Sequence, residues 1–240
     1  MSKTGRILLI VVVAAVAAAV IGFGARYLVL QAGGPSPADI ERGVQAAKDM
    51  PLVRMVIAEN PELEGKLRAA ITDDLKGDRQ APPSSAMFGV DVRQRYIVPA
   101  LLRSDDDSAL KAARGMETLA TYLQAKDVSL CRELGMVGLQ NANKLDFDGT
   151  IVLKQALALQ EDAYRNGKMG SPKTPLKTEE VASFLVEAGH SEKDIAQLSA
   201  FATLPTAEGC AATVKLYAAP RALPVARGGM LARWLLTVGQ

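Results

Sequence analysis

Apolar residues fall along this chain in two regimes. From Ile7 to Gly24 they run without a charge, ILLIVVVAAVAAAVIGFG, and after Arg26 the run resumes through Tyr27-Leu28-Val29-Leu30. Beyond Gly34 they recur between polar residues at helical spacing, as in the stripe Leu63, Leu67, Ile71 and Leu75. That period belongs to helices with one buried face. No stretch sustains alternation at period two, and the β-branched residues are dispersed. The pattern predicts an all-α domain of about eight to ten helices behind an N-terminal segment of a different kind.

Start and stop signals divide the domain. Ser36-Pro37-Ala38-Asp39 offers an N-cap serine, a proline at the first helical position and an acid at the third, predicting a helix to about Asp49. Met50-Pro51 breaks it before a short helix to Glu59, and Asn60-Pro61-Glu62 repeats the start signal for a helix ending at Lys76-Gly77. Further helices are predicted over about 86–102, with a kink near Pro99, over 108–126, over 127–139, over 150–167 and over 178–188. Ser191-Glu192-Lys193-Asp194 resembles a capping box and starts a helix to about Thr203. The helix carrying Cys210 stops before Pro220, and a last helix covers 224–238. Residues 78–85 and 167–177 read as loops, the second with two prolines.

The first segment has the length to cross a bilayer, since about 20 apolar residues span a hydrocarbon core of roughly 30 Å. Lys3 and Arg6 precede it, Arg26 stands where a long side chain can snorkel, and Phe23 and Tyr27 suit the boundary level. The positive flank predicts residues 1–6 in the cytoplasm, 7–30 as a single-pass signal-anchor helix, 31–37 as a linker and 38–240 as an extracytoplasmic domain. The expected location is a bacterial-type inner (cytoplasmic) membrane, with the domain in the periplasm or outside. The alternative is a cleaved signal peptide that releases a secreted soluble protein. Its apolar core would normally be about 7–15 residues, shorter than this run.

Composition changes this picture mainly by exclusion. The 240 residues are 49% hydrophobic and 22% charged, ordinary for a globular protein. Lys3, Arg6 and Arg26 all precede the first acid, Asp39, so the remainder carries 25 basic and 26 acidic residues. That balance lacks the basic excess a nucleic-acid surface uses, and no nucleic-acid partner is expected. Two Cys and one His are too few for a zinc cluster of about four ligands, so neither metal nor cofactor is expected. In an oxidising compartment Cys131 and Cys210 are most simply a disulfide, restricting the unfolded chain by roughly 4 kcal/mol.

One stretch carries a chemical motif, Asp146-Phe147-Asp148-Gly149-Thr150-Ile151-Val152. It resembles the first motif of haloacid-dehalogenase-like phosphotransferases, and the resemblance covers these seven residues. It implies Asp146 as nucleophile, Asp148 as general acid, a Mg²⁺ beside them and a parallel sheet whose strand precedes the motif. Read from the residues alone, the preceding LQNANKL is too polar for a buried strand, and the turn instead caps the next helix through Asp148 or Thr150. As a calcium loop the same stretch would place Lys144 first and Gln155 last, where acids belong. His190 reads as a capping or exposed loop residue, and Asp105-Asp106-Asp107 as acids at a helix start. Met230, Leu231, Trp234 and Leu235, beside Arg221, Arg227 and Arg233, form a stripe that either packs into the core or docks on a partner or membrane surface. The expected function is a structural or protein-interaction component of an envelope assembly. The alternative is an envelope enzyme, a Mg²⁺-dependent phosphotransferase using Asp146 and Asp148.

Overall fold

The computed structural model describes residues 36–76, 84–139 and 141–237. The apolar segment at 7–30, most of the linker at 31–37 and most of the loop at 78–85 lie outside the described residues. Among the described residues no helix is long and apolar enough to cross a membrane.

The domain is all-α, without strands among the described residues. In chain order the helices are α1 (Pro37–Lys48), α2 (Pro51–Glu59) and α3 (Glu62–Lys76). Helix α4 runs unbroken through Ser84–Val92, a π-helical segment Arg93–Ile97, and Val98–Leu101. Then come α5 (Asp106–Lys126), α6 (Val128–Val137), α7 (Phe147–Met169), α8 (Thr178–Glu187), α9 (Glu192–Ser199), α10 (Thr206–Ala218) and α11 (Val225–Thr237). These are eleven helices, against the eight to ten that the pattern suggests. The predicted breaks between α1 and α2 at Met50-Pro51 and between α8 and α9 at Gly189 are both present, the second at a φ of 93° that no ordinary residue adopts cheaply.

Local chemistry explains most boundaries. Ser36 and Asp39 form a reciprocal capping box at α1, and Ser191 and Asp194 form another at α9. Pro99 has no N–H to donate back along α4, and its ring crowds the carbonyl four residues earlier. The helix answers by widening rather than ending: the Val98 N–H bonds to the Arg93 carbonyl, one residue further back than in an α-helix.

Helix α5 is the centre of the packing. Its buried face is built from Ala109, Ala112, Ala113, Gly115, Met116, Leu119, Ala120 and Leu123, and α7, α10 and α11 pack around it. Small side chains let the axes approach closely: a Cβ on Gly115 would lie 3.1 Å from the Ala156 backbone of α7. Helix α7 runs antiparallel, since Gly115 meets Ala156 while Tyr122, two turns later, meets Gly149. Its far end crosses α4 at Gly167, where a Cβ would stand 1.8 Å from the Ala100 carbonyl oxygen. Tyr164, Tyr217 and Phe201 are the largest fully buried side chains. Cys131 of α6 and Cys210 of α10 are both 0% exposed and are joined in a disulfide, with Cα atoms 5.1 Å apart.

Candidate functional site

The motif at Asp146 sits on an exposed turn between a 3₁₀ segment, Ala142–Lys144, and the first turn of α7. Asp146 is the N-cap. Its Oδ1 accepts the Gly149 N–H at 2.7 Å and the Tyr122 hydroxyl at 2.6 Å, and the Thr150 hydroxyl donates to its carbonyl at 3.0 Å. This corrects the expectation that Asp148 or Thr150 caps the helix, and α7 starts three residues earlier as a result. The Tyr122 bond, then the Gly149 bond, hold the Asp146 carboxyl below its usual range. The same bond pushes Tyr122 up to about 12.

That arrangement has consequences for phosphoryl chemistry. A nucleophilic carboxylate needs an oxygen aimed at the phosphorus; Oδ1 is taken by two donors, which leaves Oδ2 alone for such a role. Among the described residues there is no strand, and so no parallel sheet of the kind the resemblance implies. A 3₁₀ turn precedes the motif, and everything described after it is helix or connection. Polar Asn141, Asn143 and Lys144 could not occupy the interior of such a sheet. Among the described residues no three His, Cys, Asp or Glu side chains gather closely enough to hold a metal ion.

The last helix is more deeply embedded than its stripe requires. Leu231 and Leu235 are fully buried in the main core, and Met230 and Trp234 pack against it while partly exposed. Of the four residues read as either core or docking stripe, Leu231 and Leu235 are core, and Met230 and Trp234 keep an exposed part. The arginines beside them pair within the chain, Arg233 in the interior and Arg221 and Arg227 at the surface. Arg233 is buried and donates to the Ser104 carbonyl at 3.0 Å and to Asp106 at 2.6 Å. Arg221 pairs with Glu117 at 2.8 Å. Arg227 pairs with Glu187 at 2.6 Å and lies 4.0 Å from the centre of the Phe184 ring.

The three consecutive acids divide their work. Asp105 caps α5 through the Ser108 N–H, Asp106 meets Arg233, and Asp107 pairs with Lys111 at 2.6 Å. His190 occupies the α8–α9 turn, where its backbone N–H bonds to the Leu185 carbonyl and its Nε2 is buried without a hydrogen-bond partner. Burial lowers its pKa; the Asp194 carboxylate opposes this and the Lys215 ammonium adds to it.

Sequence reasoning passed over Arg93. It lies in the π segment, is buried, and donates to the Leu236 carbonyl at 2.5 Å, at the end of α11 where the helix dipole is negative. The only local signal was Pro99, six residues on, which marks the distorted helix but does not say which side chain the distortion turns inward. No protein-family model matches the chain, and neither does any curated protein or any solved structure.

Proposed function

We propose that the chain is a single-pass membrane protein whose helical domain is exported and binds protein partners in an envelope assembly. The reading is carried by the Cys131–Cys210 disulfide, deeply buried in a chain whose residues 7–30 are apolar apart from Arg26 and lie behind Lys3 and Arg6. Disulfides persist in oxidising compartments, and positive charge before a span keeps that end in the cytoplasm. The rest of the support concerns what the domain does with its polar groups. Asp146 is spent on a cap, and Arg221, Arg227 and Arg233 on internal pairs, which favours a binding role over a reaction.

The test is topological first. A reporter active only in the exported compartment, fused after Gln240, should be active, and a cytoplasmic reporter at the same place silent. The reverse pattern would overturn the orientation. The full-length mass should persist in the membrane after alkaline extraction; a shortened, released form would mean a cleaved signal. A crosslinked pulldown from mild detergent should then return a reproducible set of envelope proteins.

A further inference from the structure

Between α7 and α8 the chain neither coils nor turns. Residues 170–177, GSPKTPLK, form eight consecutive positions free of helix, turn or bend. The two ends lie at φ −78°, ψ 149° (Gly170) and φ −76°, ψ 145° (Lys177). Both pairs match the polyproline II helix, near −75° and +145°. Four of the six residues between are biased toward the same conformation: Pro172 and Pro175 have φ locked near −65°, and Ser171 and Thr174, each preceding a proline, are driven out of the helical region.

A polyproline II helix has three residues per turn, so its side chains form three edges. Lys173 and Leu176 share one. Leu176 is 6% exposed and belongs to the core, which fixes that edge against the domain. Lys173 lies on the same edge yet is exposed; the Asp105 carboxyl is held down first by the Ser108 N–H, and the charge of Lys173 adds to that. The second edge carries Pro172 and Pro175, and the third carries Ser171, Thr174 and Lys177. All five of these residues are exposed, as Lys173 is, and Leu176 alone is buried.

We infer that this strap is a preformed ligand for a protein domain with an aromatic-lined groove flanked by acidic residues, of the SH3 type. Such grooves take Pro-x-x-Pro segments by packing aromatic rings against the proline edge. Pro172-Lys173-Thr174-Pro175-Leu176-Lys177 presents that edge with a cation two residues after the second proline. Leu176, held in the core, and Gly170, lying against the Arg103 carbonyl, clamp the strap at both ends. The conformation is therefore set before the partner arrives, and little ordering entropy is lost on binding. The proposal rests on the protein-interaction reading above for its biological sense and gives that role a partner of stated chemistry.

The probe is an isotope-labelled SH3 domain that accepts Pro-x-x-Pro-x-Lys peptides, titrated with the full chain in detergent micelles. Saturable shifts confined to the aromatic groove are expected. Pro172→Ala and Pro175→Ala should each weaken binding at least tenfold, and Lys177→Ala should weaken it and flatten its salt dependence. Circular dichroism of each variant shows whether the domain remains folded; Lys177→Ala keeps both prolines and serves if either proline variant unfolds. Absence of saturable shifts, or shifts that survive all three substitutions, overturns the inference. If the same chain still exports its domain and recovers envelope proteins, only the strap assignment falls.

Discussion

Single side chains decide what the polar groups of this domain are free to do. Asp146 is the clearest case, because one oxygen serves both the Gly149 N–H and the Tyr122 hydroxyl. Asparagine keeps a cap acceptor, so Asp146→Asn should shift the urea midpoint little. Asp146→Ala leaves both donors without their acceptor and should lower the midpoint clearly. A Mg²⁺-dependent phosphatase assay on the same samples should show no activity that Asp146→Asn abolishes. His190, the sole histidine, gives a pH prediction. Its pKa in the folded domain lies below that of the unfolded chain, because the charged form is disfavoured by burial. The unfolded chain then binds the proton first as pH falls below about 6.5, so stability declines from there toward the folded pKa. His190→Gln should remove that slope between pH 7 and 5.5 in urea unfolding. Decline below about pH 4.5, where carboxylates such as Asp194 and Asp146 are protonated against their depressed values, should remain.

Between helices, close approach rather than bulk governs the packing. At Gly167 a methyl group would collide with the Ala100 carbonyl oxygen of α4, a backbone atom that cannot rotate away. Gly167→Ala should therefore destabilise the domain by about 1–3 kcal/mol or more, as overpacking does. Gly65, exposed within α3, has nothing within 4 Å of the added carbon. Gly65→Ala should stabilise by about 0.5–1 kcal/mol by restricting the unfolded chain. Opposite signs in parallel urea titrations would verify the helix placements, and equal effects would contradict them. The π segment of α4 acts at the same scale. By widening before Pro99 it carries the helix past a residue that would otherwise stop it, and it delivers Arg93 to the end of α11.

Across the whole molecule the disulfide joins points 79 residues apart, and the segment it encloses includes all of α7, α8 and α9. Cys131→Ser with Cys210→Ser should cost roughly 2–5 kcal/mol while leaving a folded helical domain, because a core spread over eleven helices buries enough surface without the link. Denaturant titrations with helical circular dichroism measure both parts of that statement. Because the two sulfurs are bonded to each other, thiol alkylation in denaturant without reductant should leave Cys131 and Cys210 unmodified. Free thiols there would count against the oxidising compartment as well as the bond.

What the sequence determined by itself is whatever depends on neighbours within a turn or two. The all-α class, the capping boxes at Ser36 and Ser191 and the stripe from Leu63 to Leu75 follow from spacing and cap chemistry, which act locally along the chain. The pairing of two cysteines followed from their number and the inferred compartment. Tertiary structure decided wherever several local answers were equally good. Asp146, Asp148 and Thr150 can all cap a helix; Tyr122, 24 residues earlier on α5, adds its hydroxyl bond to Asp146. An amphipathic helix rich in arginine can face a partner as well as a core. Ser104, Asp106, Glu117 and Glu187, more than a hundred positions away in three cases and forty in the fourth, claim those arginines for the interior or its rim. In the two-proline loop, local sequence predicts a connection, and the burial of Leu176 is a tertiary contact that the prolines do not specify. These outcomes rest on contacts between residues remote along the chain, and periodicity, which records only which face of a helix is apolar, carries no information about what that face will meet.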